Sequence, residues 1–257
     1  MADWDPDAYA RFRDLRLRPA LDLLARVAEL PDGDVVDLGC GAGAAGPALS
    51  ALYQGRKLIG VDGSPAMLAK AEAAGLYTAL VEADVAAWAP RTPPALVFSN
   101  ALLQWLPDHL TLFPRLAEMV APGGTLAIQV PRQEFAPSRR FLRDIAADMF
   151  PDRFGLTGWS PRVMAPLDYV RLLAPFGQVD AWETDYFQRL APDETAHPVR
   201  KFTQSTGMRP FLDRMDEAEA AEFAARYEEA LTSAYPAEDD GSVLFPFRRL
   251  FLILNKG

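Results

Sequence analysis

Apolar residues in this chain fall into short, largely apolar runs, with helically spaced stretches between them. Val35-Val36-Asp37-Leu38 stops at Gly39, Lys57 to Val61 stops at Asp62, and Leu80-Val81 leads into Glu82, Ala83 and Asp84. Leu96 to Ser99 and Thr125 to Val130 repeat the form. Short apolar runs of this kind suit strands buried on both faces. Between them, the stretches starting at Pro47, at Pro65 and at Thr111 carry helical spacing, the second with proline near its first turn and Gly75 near its end. Strand and helix in alternation predict repeated βαβ units, an α/β fold built on a mostly parallel sheet.

Two segments break that rhythm. Residues 132–165 are rich in Arg, Phe and Pro and hold an amphipathic stretch around Phe141, Leu142, Ile145 and Met149; residues 191–241 are again helical and polar. Between them Asp168 to Leu190 restores helix, glycine turn and a long alternating strand, and Phe247 to Leu254 closes the chain as a strand. That last strand is expected to fold back antiparallel. The reading is a single domain over 1–257, with 132–165 and 191–241 as helical insertions forming a lid at the carboxyl edge of the sheet, where open α/β sheets bind ligands. Leu21, Leu24 and Val27, after Pro19, predict a helix covering one edge of the sheet.

The first strand runs into glycines at alternate positions, Gly39, Gly41 and Gly43, so a ligand can lie against the backbone where the next helix begins. A G-x-G turn alone also fits a dinucleotide site or a plain tight turn. Asp37, two residues before Gly39, argues against a pyrophosphate, which wants only N–H groups at that point, and for a cationic or amine-bearing ligand. Asp62, ending the second strand, suits a carboxylate accepting two ribose hydroxyls; its alternative role as a helix cap is filled more naturally by Ser64. Asp84 is placed to meet an adenine amino group, with Ala83 and Val85 against the ring, although a loop aspartate needs no ligand. Together these residues describe a pocket for adenosine with a positive charge and an amino acid tail in place of phosphate, a description that fits S-adenosylmethionine.

The whole pattern resembles the class I S-adenosylmethionine-dependent methyltransferases, carried here by DLGCGAG (Asp37 to Gly43), Asp62 and Asp84. The resemblance implies their Rossmann-like sheet, S-adenosylmethionine as cofactor and S-adenosylhomocysteine as product, with Gly63, Met67 and Asn100 joining the cofactor-binding set. It also implies that SNALLQW (Ser99 to Trp105) faces both the methionine moiety and the acceptor. The blocks WDPDAYARFRDLRLRPALDLL, GVDGSPAML, SNALLQWLPDH, STGMRPFLDRM and LFPFRRLFLI narrow the resemblance to members of the family that methylate trans-aconitate. The implied reaction is monomethyl esterification of one carboxylate of that acid.

Composition removes other classes. Net charge is -9, from 35 acidic against 26 basic side chains, so no uniform attraction to a nucleic acid backbone exists. One cysteine, Cys40, excludes an internal disulfide framework and a cysteine-rich zinc site, and no metal is expected. No apolar run approaches the roughly 20 residues of a membrane span, and the chain reads as cytoplasmic, monomeric or weakly self-associating.

A carboxylate acceptor, with an ordinary pKa of ~4, is ionised near neutrality and needs no base, so no proton-carrying catalytic residue is expected. Of the two histidines, His109 reads as a surface or helix-capping residue, while His197 falls in the second insertion. The expected acceptor-side set is Tyr9, Arg18, Gln104, Trp105, His197, Lys201, Thr206, Arg209 and Arg248. The group Arg200, Lys201, Thr203, Thr206 and Arg209, with Arg248 and Arg249 at the start of the last strand, fits a small polyanion and equally fits a solvated polar face. Alternatives are another small polycarboxylate or a carrier-linked acid as acceptor, an N- or O-methyltransferase with a proton acceptor, and, in a different class, a non-catalytic S-adenosylmethionine-binding regulator.

Overall fold

The structure, a computed structural model, describes residues 13–157, 160–204 and 206–257. Among the described residues seven strands form one sheet, in the order β3-β2-β1-β4-β5-β7-β6. They are β1 (Val35–Leu38), β2 (Leu58–Asp62), β3 (Ala79–Glu82), β4 (Leu96–Asn100), β5 (Thr125–Pro131), β6 (Gly177–Leu190) and β7 (Val243–Lys256). β1 pairs in parallel with β2 and β4, β2 with β3, and β4 with β5, while β7 runs antiparallel to β5. The expected parallel core and antiparallel last strand are both present.

Two compact units divide the chain. The sheet unit comprises Arg13–Pro131, Arg162–Thr184 and Arg249–Gly257. Its helices are α1 (Arg13–Leu24), α2 (Gly46–Leu52), α3 (Pro65–Ala73), α4 (His109–Met119) and, after the first insertion, Pro166–Leu173. Register sorts its side chains by face, because paired residues project to the same side and neighbours along a strand to opposite sides. Val36, Leu38, Val61, Val97, Ile128 and Leu252 share one face and are closed over by Phe113 and Leu116 of α4 and by Tyr169 and Leu173. Each large apolar side chain buried there contributes roughly 1.5–3 kcal/mol. Asp37 lies opposite Gly60 and Phe98, Asn100 opposite Gln129, and Pro131 opposite Arg249, so Asp37, Asp62, Asn100, Gln129 and Arg249 share the other face. On α1, Pro19, Ala20, Leu23 and Leu24 are buried; Leu21 is exposed, contrary to the expected stripe, and the helix ends before Val27.

The helical unit comprises Arg132–Pro161 and Asp185–Arg248. In chain order its helices are α5 (Pro137–Met149) and α6 (Pro151–Phe154), then, with Pro166–Leu173 of the sheet unit counted as α7, α8 (Pro198–Gln204), α9 (Arg209–Leu212) and α10 (Glu217–Ala234). α10 starts in a reciprocal cap: Glu219 N–H donates to Asp216 Oδ1 at 2.9 Å and Asp216 N–H to Glu219 Oε2 at 3.1 Å. Its Phe223, Tyr227 and Leu231, one helical turn apart, are fully buried against Leu142, Val199, Phe202 and Phe245. Among the described residues no helix is long and apolar enough to cross a membrane.

Candidate functional site

The glycine turn follows β1 and is shaped by two different demands. Gly39 has φ +77, and a side-chain carbon there would lie 2.5 Å from Leu102, so both conformation and space require glycine. Gly41 has φ +53, but a carbon at that position would meet nothing within 4 Å; the space over it is open. Gly43 adopts positive φ as well.

Asp62 ties this turn to β2. Its Oδ2 accepts Gly41 N–H at 2.8 Å and its Oδ1 accepts Ser64 N–H at 2.9 Å. Each carboxylate oxygen keeps a further lone pair for a hydroxyl donor. Ser64 is the cap of α3, its Oγ accepting Met67 N–H at 3.4 Å, so the helix-cap alternative for Asp62 falls to its neighbour. Gly63 is exposed beside Asp62, and Met67 is half-buried on the first turn of α3.

Asp37 is 2 % exposed and accepts a hydrogen bond from the Tyr77 hydroxyl at 2.7 Å. Burial pushes its carboxyl up to about 7, with Tyr77 pulling the other way and the nearby Asp62 adding to the rise. Tyr77 had no signal of its own in the sequence. Its mark is glycine: side-chain carbons at Gly43, Gly46 and Gly60 would each come within 2.9 to 3.1 Å of its ring or hydroxyl. Cys40 is buried beside it, and burial together with Asp37 and Asp62 pushes the thiol upward, which makes it an inert filler.

After β3, Ala83 N–H donates to Asp62 O at 3.0 Å. Asp84 is exposed and closes its own turn, Oδ1 accepting Ala86 N–H at 2.9 Å. Val85 is buried. Arg115 of α4, not anticipated, clamps this loop by donating to Trp88 O at 2.7 Å and Val85 O at 2.8 Å.

The loop after β4 holds a strained residue. Ala101 has φ +56, a left-handed conformation costing roughly 1–2 kcal/mol in a non-glycine residue. It is pinned on both sides, its N–H donating to Gln129 O at 2.9 Å and its carbonyl accepting Gln104 Nε2–H at 2.6 Å. Asn100 Oδ1 and Gln104 Oε1 are buried with no hydrogen-bond partner among the described residues. Trp105 is 38 % exposed on the turn Leu103–Trp105. His109 is not the surface or capping residue expected: Asp108 caps α4, and His109 is 4 % exposed, with Nε2–H donating to Leu103 O at 2.9 Å and Nδ1 accepting from Tyr169 at 2.5 Å.

The basic residues expected on the acceptor side have nearby acids. In the helical unit Lys201 faces Asp193 at 3.7 Å, Arg209 faces Asp213 at 3.9 Å, and Arg248 grips Asp185 through two contacts of 2.8 Å. His197 caps α8, its Nδ1 accepting Val199 N–H at 3.3 Å and its Nε2–H donating to Tyr235 O at 3.0 Å. Thr206 Oγ1 donates to Thr203 O at 3.4 Å. Arg18, in the sheet unit, is exposed and faces Asp22 at 3.9 Å. Tyr9 lies outside the described residues.

A glycine turn held by the carboxylate that ends β2, on a 3-2-1-4-5-7-6 sheet, defines a class I methyltransferase. The family model described as "Methyltransferase domain" matches residues 9–166. Among solved structures the fold is similar to that of the YcgJ protein from Bacillus subtilis, with TM-score 0.60 and 14% identity over 93% of this chain and 99% of that one. Among curated proteins, trans-aconitate 2-methyltransferase of Methylobacterium nodulans is 45% identical over 100% of this chain and 99% of its own length, and that of Klebsiella pneumoniae 41% over 100% and 99%. The chain belongs to the trans-aconitate 2-methyltransferase family and is an S-adenosylmethionine-dependent methyltransferase.

The residues present fit that cofactor. The space over Gly41 admits a close ligand, Asp62 retains lone pairs for sugar hydroxyls, and the orphaned Asn100 Oδ1 suits an ammonium donor.

Proposed function

We propose that this enzyme transfers the methyl group of S-adenosylmethionine to one carboxylate of trans-aconitate, giving the monomethyl ester and S-adenosylhomocysteine. The observation that carries this reading is full-length identity of 45% to a trans-aconitate 2-methyltransferase, together with a cofactor-type site at the end of β1 and β2. The cofactor set is Asp37, Gly39, Gly41, Gly43, Asp62, Gly63, Met67, Ala83, Asp84, Val85 and Asn100. Gln104 and Trp105 are assigned to the acceptor. The single-domain organisation over 1–257 with insertions at 132–165 and 191–241, a monomeric or weakly associating state and a cytoplasmic location belong to the same reading.

When bound, the cofactor supplies a methyl group activated by a sulfonium. The chain's own tasks are then alignment and exclusion of water. Asp62, held by Gly41 and Ser64, would offer a rigid acceptor for the sugar, while Asn100 would take the ammonium. An ionised carboxylate needs no proton removed, and both histidines have both ring nitrogens occupied within the fold. Opposite charges vanish in the reaction, so a dry site lowers its barrier.

The test is a panel of di- and tricarboxylates incubated with methyl-labelled S-adenosylmethionine and scored for alkali-labile label. Preference for trans-aconitate over cis-aconitate, citrate and isocitrate is expected. Label on another acid alone overturns the assignment.

A further inference from the structure

Gln129 of β5 is fully buried, and its Oε1 accepts a hydrogen bond from Arg249 Nη1 at 3.1 Å. That contact fixes which end of the amide is which: rotating it would turn the NH2 group against a guanidinium, donor to donor. The amide nitrogen therefore faces elsewhere, and among the described residues Nε2 has no hydrogen-bond partner. An amide donor buried unpaired is destabilising, a penalty a folded chain retains where a ligand removes it.

Arg249 is itself 3 % exposed. It sits on β7 opposite Pro131, two positions along β5 from Gln129, so both side chains leave the sheet on the same face as Asp37, Asp62 and Asn100. Gln129 is also the register partner of Asn100 and accepts Ala101 N–H through its carbonyl, which couples it to the strained loop after β4. Chemistry divides along this edge. The orphaned atoms on the β4 side, Asn100 Oδ1 and Gln104 Oε1, are acceptors; on the β5 and β7 side stand a free amide NH2 and a guanidinium, all donors.

We propose that Gln129 and Arg249 form a carboxylate clamp that holds a non-reacting carboxylate of the acceptor. The clamp rests on the reading above that the acceptor is a polycarboxylate. A planar guanidinium beside an amide NH2 presents donors that match the two oxygens of a carboxylate. Fixing a non-reacting carboxylate leaves the attacking one uncompensated and nucleophilic. A methionyl carboxylate of the cofactor has the same chemistry, and the test separates the two sources.

Gln129→Glu keeps the volume and gives Arg249 an internal acid, so the fold is retained while the clamp is filled with negative charge. With trans-aconitate as acceptor, KM is expected to rise about 100-fold, kcat at saturation to change by less than about 5-fold, and S-adenosylhomocysteine affinity by calorimetry to change by less than about 3-fold. Arg249→Lys, which loses the planar fork, should move the same parameter in the same direction. Weakened S-adenosylhomocysteine binding with unchanged acceptor KM would assign the donors to the cofactor and overturn the clamp. A changed melting temperature with neither parameter moved would make the pair purely structural and overturn it too. Binding is read independently by titrating trans-aconitate into protein saturated with S-adenosylhomocysteine. Wild type that methylates none of the acids strikes the functional reading; wild type and Gln129→Glu that respond equally to the acid strike the clamp.

Discussion

The Tyr77 hydroxyl donates to Asp37 Oδ2 at 2.7 Å beneath the glycine turn, and it is the side-chain hydrogen bond that restrains a buried carboxyl. Because burial raises the Asp37 carboxyl to about 7 from an ordinary 3.8, the folded state holds its proton longer than the unfolded chain does. Its contribution to stability is full below 3.8 and is lost as pH rises through about 7, over a window worth up to about 4 kcal/mol at 1.36 kcal/mol per pH unit. Asp37→Asn should flatten the fall in melting temperature between pH 5 and pH 8 that wild type shows on this account. Tyr77→Phe should steepen it, costing about 1–3 kcal/mol more at the alkaline end. Melting curves of the three proteins across that range check the sign; parallel profiles would show that Asp37 titrates outside it.

Gly39 and Gly41 separate folding from ligand binding. Gly39→Ala drives a methyl group into Leu102 at 2.5 Å and sets alanine at φ +77, so a stability loss of about 2 kcal/mol or more is expected. Gly41→Ala meets no atom of the described residues and bears only the strain of φ +53, about 1 kcal/mol. Its methyl group enters the space reserved for the cofactor, and S-adenosylhomocysteine affinity should fall at least about 10-fold. Calorimetry and melting curves on both variants read the two effects separately. Unchanged affinity in Gly41→Ala would remove the cofactor from that space.

The parallel core was legible because its strands are short, largely apolar runs, and Asp62 because it ends one of them. The antiparallel last strand followed from its position after a long helical segment. Tyr77, Arg115 and the Gln129–Arg249 pair were not legible in this way. Tyr77 reaches Asp37 across 40 positions of sequence, and Gln129 meets Arg249 across 120, so only the folded register brings them together. The acids facing the basic residues expected on the acceptor side were not legible for the same reason. Lys201, Arg209 and Arg248 formed a plausible anion site while Asp193, Asp213 and Asp185 were unplaced; once folded, each base has an acid beside it.

His197 tests the base-free reaction. With Nδ1 accepting Val199 N–H and Nε2–H donating to Tyr235 O, it serves as the cap of α8. His197→Ala should cost about 1 kcal/mol of stability and less than about 10-fold in kcat. Loss of more than about 10²-fold in kcat, with fold and acceptor affinity intact, would require a proton acceptor and return the N- and O-methyltransferase readings.

His109 predicts an acid limb opposite in sign to that of Asp37. Nε2–H donates to Leu103 O, so the neutral ring has only Nδ1 left to accept from Tyr169, whose oxygen in turn accepts Met164 N–H at 3.2 Å. Burial lowers its pKa from the ordinary 6.5. A histidine lowered on folding contributes stability that is fully present above its unfolded value and lost as pH falls through its folded one. The loss is local in origin, because the protonated ring must give Nδ1 a hydrogen where Tyr169 now donates. Leu103 belongs to the turn that carries Gln104 and Trp105, so loosening it should raise acceptor KM before kcat changes. His109→Gln, which can accept and donate but does not titrate, should abolish the acid-side fall in melting temperature while holding KM nearer the wild-type value than His109→Ala does. An acid limb of equal slope in wild type and His109→Gln would locate the titrating group elsewhere.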